Sequence, residues 1–181
     1  MSNLPAVTQL LLLAVTLVAA FFDLRWRRIP NWLTVTGVVC GFALNLILFE
    51  WAGLRLSALG LGLALLVYIP LLALRAMGGG DVKLMAAVGS ITGPQNWFAI
   101  FLVTSILGGI VAVVIVLFKG RLGRTFSNLG FILWELAHLR RPYTGREELD
   151  IGSPKAVSLP HGAVISLGCV VFLLLARVAS K

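Results

Sequence analysis

The chain has 181 residues, of which 59% are hydrophobic and only 12% are charged, and its net charge at neutral pH is +8. A soluble globular domain has about 45–50% apolar and about 25% charged residues, so this composition excludes an ordinary soluble domain. The length leaves room for about six membrane spans of roughly 20 residues with short loops. We therefore predict an all-α integral membrane protein with one membrane-embedded domain over residues 1–181 and no separate soluble domain.

Hydrophobic runs in chain order predict the six transmembrane helices, over residues 4–22, 33–50, 56–74, 82–98, 97–118 and 161–178. The first run has the length of a signal-peptide core, but Arg25, Arg27 and Arg28 follow it instead of preceding it. This order favours a retained span over a secretory signal. The fourth run is short and polar, and we expect a short or broken helix that ends near Gly93 and Pro94, because proline disfavours helix at the preceding residue.

Lysines and arginines are distributed unevenly between the predicted loops. If the N-terminus is outside the cytoplasm, twelve of the fifteen lie in the inside loops 23–32, 75–83 and 119–160. Cytoplasmic loops carry an excess of positive charge, so this distribution predicts the orientation and supports six spans. The net charge then has a topological explanation and predicts no nucleic-acid partner; the expected surroundings are a lipid bilayer.

The segment 119–160 is the only long polar stretch of the sequence. Within "RTFSNLGFILWELAHLRR", apolar residues recur at helical spacing, at Phe126, Leu129, Leu133, Leu136 and Leu139. Arginines flank this face, and Trp134 suits the headgroup region of a membrane. We predict an amphipathic helix that lies on the cytoplasmic membrane interface. A solvent-facing loop helix packed on the bundle is the alternative.

Two of the seven acidic residues, Asp23 and Asp81, end the first span and begin the fourth. The predicted topology places both at the cytoplasmic side, at the same depth. Two close carboxyls cannot both ionise easily, so they share a proton: the ionised member can activate water and the protonated member can polarise a carbonyl. This is the chemistry of an aspartic protease. Two other roles stay open: Asp81 can be a helix N-cap, and Asp23 can be a boundary charge paired with Arg25 or Arg27.

Three glycines precede Asp81, namely Gly78, Gly79 and Gly80. Glycine permits positive φ and a close approach of another backbone. The segment can therefore lie against a substrate, or let the aspartate swing towards its partner. Lys83 can tune the carboxyl pair, although a lysine that extends to the membrane interface is the simpler interpretation.

Polar and small residues near two other span ends complete the candidate site. Asn31, after Pro30, is a good N-cap for the second span. In "SLPHGAVIS", Pro160 and Gly162 either simply start the last span or form a close-packed wall near the site.

The potential metal ligands are few and scattered. The two histidines, His138 and His161, have no cysteine near them, and Cys40 and Cys169 lie inside hydrophobic runs. No zinc-type spacing is present. We predict neither a metal nor another cofactor.

Two stretches, "FFDLRWRRIPNWLT" and "GGGDVKLMAAVG", resemble the type IV prepilin peptidases, which are membrane aspartic peptidases with a GxGD motif. The resemblance covers most of the chain, with its weight on residues 23–34 and 78–89. The first motif matches at Asp23, Arg25, Ile29, Pro30 and Asn31, and the second at Gly78, Gly80, Asp81 and Lys83. The resemblance implies that Asp23 and Asp81 are the catalytic pair, and that the glycines and Lys83 lie where substrate binds.

The family cleaves the basic leader from prepilin-like precursors at the cytoplasmic face of the bacterial inner membrane. Larger members carry a cysteine-rich insert and also methylate the new N-terminus. This chain has two cysteines and no cysteine tetrad, so it is similar to the short peptidases of tight-adherence (Flp-type) pilus systems, and methyltransferase activity is not expected.

Two other functions are compatible with membrane carboxylates. A proton-coupled small transporter would place acidic residues near the middle of the membrane. A non-catalytic scaffold of a pilus or secretion assembly would tolerate the loss of both aspartates.

Overall fold

The computed structural model describes residues 4–75, 77–118, 131, 134 and 160–179. These residues form four long helices and no strand: α1 (Ala6–Trp26), α2 (Asn31–Ala73), α3 (Gly79–Phe118) and α4 (His161–Ala179). Each of the four is long and apolar enough to cross a membrane. The predicted all-α class is confirmed.

Helix α2 is interrupted and folds back on itself. A straight helix of its 43 residues would be about 65 Å long, roughly twice the hydrocarbon thickness of a bilayer. Glu50 is non-helical, with φ 53° and ψ −137°, and Asn45 Nδ2 donates a hydrogen bond to Ser57 Oγ at 2.8 Å. Residues twelve apart in a straight helix are separated by about 18 Å along the axis. The chain therefore reverses direction near Glu50.

Helix α3 reverses in the same way at Gly93, where φ is 73° and ψ is 172°. The indole Nε1 of Trp97 donates to the carbonyl oxygen of Met85 at 3.1 Å, which a straight helix does not allow. Glycine adopts positive φ without a steric penalty, and Pro94, which follows, has no N–H to leave unpaired. The interruption lies near Gly93 and Pro94, where we expected the fourth helix to end. The hydrophobic run that defined this span extends to residue 98, which is beyond the observed interruption.

The residues that the structure describes thus form four helices, where about six were predicted for the chain. The predicted spans 33–50 and 56–74 are the two parts of α2, and 82–98 and 97–118 are the two parts of α3. A polar interval in a hydropathy pattern resembles a loop, whereas the backbone here leaves helical geometry at a single residue in each helix. The predicted interfacial helix within 119–160 lies outside the described residues, apart from Phe131 and Trp134, and stays a prediction.

The most buried part of the chain is residues 82–93, in the first part of α3. Every residue in it except Lys83 is buried. The segment contains the small residues Ala86, Ala87, Gly89 and Ser90, which let neighbouring helices approach closely in a membrane protein. The span with the weakest hydrophobic signal is therefore the centre of the bundle.

A crossing of two glycines joins α2 to this central segment. A Cβ atom on Gly60 would overlap the carbonyl oxygen of Gly89, and one on Gly89 would overlap that of Gly60. Nearby, Asn45 Nδ2 donates to the carbonyl oxygens of Ser90 at 3.0 Å and Ile91 at 3.2 Å. Close backbone packing and buried amide hydrogen bonds thus hold both parts of α2 against α3.

The bundle has two distinct ends. At one end, the start of the described chain and both reversals line a cavity of about 360 Å³, which includes Leu4, Phe49, Leu56 and residues 91–96. At the other end lie the last turn of α1 and the first turns of α2, α3 and α4, joined by the contacts described below.

We predict that Gly60→Ala destabilises the protein by about 1–3 kcal/mol, because the new methyl group meets backbone that cannot move aside. The matched control is Gly62→Ala, two residues along α2, where a Cβ atom meets nothing within 4 Å. This control should leave stability unchanged or raise it slightly, because alanine favours helix. Thermal unfolding in detergent measures both variants, and equal unfolding midpoints would contradict the packing argument.

Candidate active site

The two aspartates, which are distant in sequence, lie at the same end of the bundle. Asp23 is in the last turn of α1 and is only 7% exposed. Asp81 is in the first turn of α3 and is partly buried. Their carboxyl groups are within range of direct electrostatic interaction. The fold therefore brings together the two acidic side chains that the sequence singled out.

The carboxylate of Asp23 binds the N-terminus of α4. Its Oδ2 atom accepts hydrogen bonds from the backbone N–H groups of Gly162 at 2.8 Å and Ala163 at 3.4 Å. The guanidinium of Arg25, one of the arginines considered as its partner, instead lies 5.6 Å from the ring centroid of Trp26. Asp23 is thus tied to another helix, in addition to its place at a membrane boundary.

Asp81 is not the N-cap of its own helix, because α3 already begins at Gly79. Its backbone N–H donates to the carbonyl oxygen of Gly78 at 3.2 Å, which forms the first turn. A carboxylate in the first turn of a helix interacts favourably with the helix dipole. The N-cap interpretation of Asp81 is therefore wrong, although its charge still suits this helix end.

The glycines before Asp81 have different surroundings. A Cβ atom on Gly78 would lie 3.2 Å from Asp81 Oδ2, and one on Gly80 would lie 3.3 Å from Ile29 Cβ. On Gly79 it would meet nothing within 4 Å. None of these three has positive φ, and Gly79 and Gly80 are helical. The segment is thus a helix start with little room for side chains at its two ends, and none of its glycines uses the positive φ that glycine permits.

Lys83 and Asn31 join the starts of α3 and α2. The ammonium group of Lys83 donates to Asn31 Oδ1 at 2.9 Å, in an exposed position. Asn31 is the first residue of α2, and Pro30 holds the N-cap position without a side-chain hydrogen bond. The predicted capping role of Asn31 is therefore wrong: its side chain binds the neighbouring helix instead of its own.

The start of α4 closes the site on another side. The carbonyl oxygen of Pro160 accepts hydrogen bonds from Ala163 at 3.1 Å and Val164 at 3.2 Å, which form the first turn. A Cβ atom on Gly162 would lie 3.0 Å from Asp23 Cβ. The sequence left two roles open for Pro160 and Gly162, a helix start and a close-packed wall. The geometry shows both, because these residues form the first turn of α4 and pack closely against Asp23.

Ile29 is a neighbour that the sequence did not single out by its chemistry. Its side chain packs against both Gly80 and Gly162, since Cβ atoms on these residues would lie 3.3 and 3.1 Å from it. It therefore separates the starts of α3 and α4 beside both aspartates. Its match to the first motif of the resemblance is the sequence signal that indicated this position.

Within residues 4–75, 77–118 and 160–179, no three histidine, cysteine, aspartate or glutamate side chains are grouped as metal ligands would be. The imidazole of His161 is within electrostatic range of Asp23. The phenol of Tyr68 is likewise within electrostatic range of Asp81, so each carboxyl has a second titratable group beside it.

Comparison with known proteins identifies the family. The model of the Type IV leader peptidase family matches residues 10–113, more than half of the chain, and this range includes Asp23 and Asp81. The chain belongs to this family. Comparisons with curated proteins and with solved structures gave no match.

We predict that Asn31 and Lys83 are energetically coupled, because an exposed charge-assisted hydrogen bond is worth about 0.5–1 kcal/mol. A double-mutant cycle of Asn31→Ala and Lys83→Met, followed by thermal unfolding, measures this coupling. Lys83→Met combined with Asn96→Ala, at the opposite end of the bundle, is the control and should be additive. Additive effects of the first pair would refute the contact.

Proposed function

We propose that this member of the family is a membrane aspartic endopeptidase that removes the basic leader from prepilin-like precursors. The observation that supports it is the meeting of Asp23 and Asp81 at one end of the bundle, both within the part of the chain that the family matches. A leader peptidase needs one site that activates water and polarises a peptide carbonyl, and two interacting carboxyls supply both functions.

The proposed reaction uses one ionised and one protonated carboxyl. The carboxylate removes a proton from water, whose oxygen bonds to the scissile carbon while the other carboxyl donates its proton to the carbonyl oxygen. The resulting diol then collapses: the leaving nitrogen receives the proton taken from water, the carbon–nitrogen bond breaks, and a diol hydroxyl returns a proton to the second carboxyl. The products are the leader with a new carboxyl group and the mature protein with a new amino group.

The proposed site lies at the cytoplasmic face of the bacterial inner membrane. In our proposal each part of α2 and α3 crosses the bilayer separately, so that with α1 and α4 the chain crosses six times. This arrangement puts both reversals outside and both aspartates inside. The excess of lysine and arginine in the predicted inside loops supports it.

We propose that the substrate is recognised through its backbone and its apolar helix. The leader is basic and so are the loops at this end, including Arg25, Arg27 and Arg28, so charge attraction is a poor basis for binding. Gly79 has open space where a side chain would be, and it lies two residues from Asp81. A substrate backbone can approach there closely. As a short form with two cysteines, the enzyme would act on Flp-type pilin precursors without methylating them.

Both Asp23→Asn and Asp81→Asn are expected to abolish cleavage of a co-expressed prepilin, with a loss of at least about a thousandfold, because neither amide can exchange the required proton. The matched control is Glu50→Gln, which replaces an acid by its amide at the opposite end of the bundle and should retain activity. Mobility of the precursor on gels measures cleavage in membranes. Full cleavage by either aspartate variant would refute the mechanism and favour a scaffold.

The orientation can be tested with single cysteines in a chain that carries Cys40→Ala and Cys169→Ala. Trp51 is 72% exposed beside the first reversal, and Arg28 is exposed after α1. In intact cells a membrane-impermeant thiol reagent should label Trp51→Cys and not Arg28→Cys, and lysed membranes should label both. The opposite pattern would reverse the proposed topology.

A further inference from the structure

The start of α4 lacks a capping side chain of its own. The first N–H groups of a helix have no partner within it, and a side-chain oxygen at the N-cap position usually accepts from the second or third helical residue. Proline occupies that position in α4, because the helix begins at His161 and Pro160 precedes it. Proline offers no side-chain oxygen, so the orphan N–H groups need an acceptor from elsewhere.

Asp23 supplies that acceptor from the other end of the sequence. Gly162 and Ala163 are the second and third residues of α4, and both donate to Asp23 Oδ2. These are the two N–H groups that an N-cap side chain would bind. The N–H of Ala163 is shared with the carbonyl oxygen of Pro160, so the stronger bond to Asp23 is that of Gly162. The aspartate of α1 is thus the N-cap of α4, 139 residues further along the chain.

The capping geometry favours glycine at position 162. A Cβ atom there would lie 3.0 Å from Asp23 Cβ, 3.1 Å from its Oδ2 and 3.1 Å from Ile29 Cδ1. Such contacts are tighter than most real Cβ contacts, so Asp23 or Ile29 would have to move slightly to make room for a side chain. A side chain at this position would therefore push the carboxylate away from the N–H groups that hold it.

We propose that Gly162 is a positioning residue of the peptidase: with Ala163 it holds the carboxylate of Asp23 through backbone N–H groups, and it leaves the space that this carboxylate occupies. This inference rests on the proposed function for its catalytic consequence, but the capping of α4 by Asp23 stands without it. Asp81 on α3 and His161 on α4 are within electrostatic range of Asp23. Neither donates the hydrogen bonds that fix its Oδ2 atom.

The capping role is tested by unfolding, independently of catalysis. Asparagine caps helices about as well as aspartate, whereas alanine does not. Asp23→Ala should therefore unfold about 2–4 °C below Asp23→Asn in detergent. The matched pair Asp81→Ala and Asp81→Asn should differ by less, because Asp81 does not cap α4. Equal unfolding midpoints of the two Asp23 variants would overturn the assignment.

The positioning role is tested by kinetics with purified full-length enzyme and a prepilin. Gly162→Ala should lower kcat by about 10–100-fold, because a small displacement of a catalytic group is costly, while KM stays within about twofold. The control is Gly109→Ala, on an exposed part of α3 where a Cβ atom meets nothing within 4 Å; it should keep the wild-type kcat.

Three experimental results would each contradict part of the proposal. A wild-type kcat for Gly162→Ala would overturn the positioning role. Loss of the cap alone should lower the midpoint of Gly162→Ala, relative to Gly109→Ala, by no more than Asp23→Ala falls below Asp23→Asn. A larger drop together with a loss of kcat would also overturn it, because a general loss of structure would then explain the rate. Cleavage by Asp23→Asn would refute the proposed function, and the unfolding difference between Asp23→Asn and Asp23→Ala would still decide the capping role.

Discussion

The structure depends on how closely its helices approach residues 82–93. Inside a bilayer the lipid tails are as apolar as leucine, so hydrophobicity does not drive helices together and close packing must. The crossing at Gly60 and Gly89 places two backbones in contact, and the amide of Asn45 fastens the same region to α2. Once this segment is enclosed, the remaining helices have one surface against which to pack.

The reversals of α2 and α3 determine which helix ends share a side. Because each long helix returns to the side from which it started, the starts of α2, α3 and α4 gather around the last turn of α1. Helix N-termini carry partial positive charge and unpaired N–H groups. The two aspartates therefore lie where the backbone itself favours negative charge.

Composition and charge sufficed to predict the all-α class, and the two aspartates were found because acidic residues are rare in such a chain. The number of helices was not predictable, because hydropathy does not distinguish a loop from a single non-helical residue such as Glu50. The central position of residues 82–93 could not be predicted from hydropathy. Small residues lower the hydropathy of this segment, although they allow the neighbouring helices to pack more closely. The partner of Asn31 and the role of Ile29 depend on contacts between distant segments, which local patterns do not encode.

The bond between Asp23 and α4 has a consequence for the order of assembly. Chains enter the membrane from the N-terminus, so α1 is in place long before α4, whose Gly162 lies 139 residues after Asp23. Until α4 is inserted, the carboxylate of Asp23 lacks the backbone N–H donors of Gly162 and Ala163 that hold it. The position of Asp23 is thus fixed only after α4 has been inserted, which is later than the insertion of α1, α2 and α3.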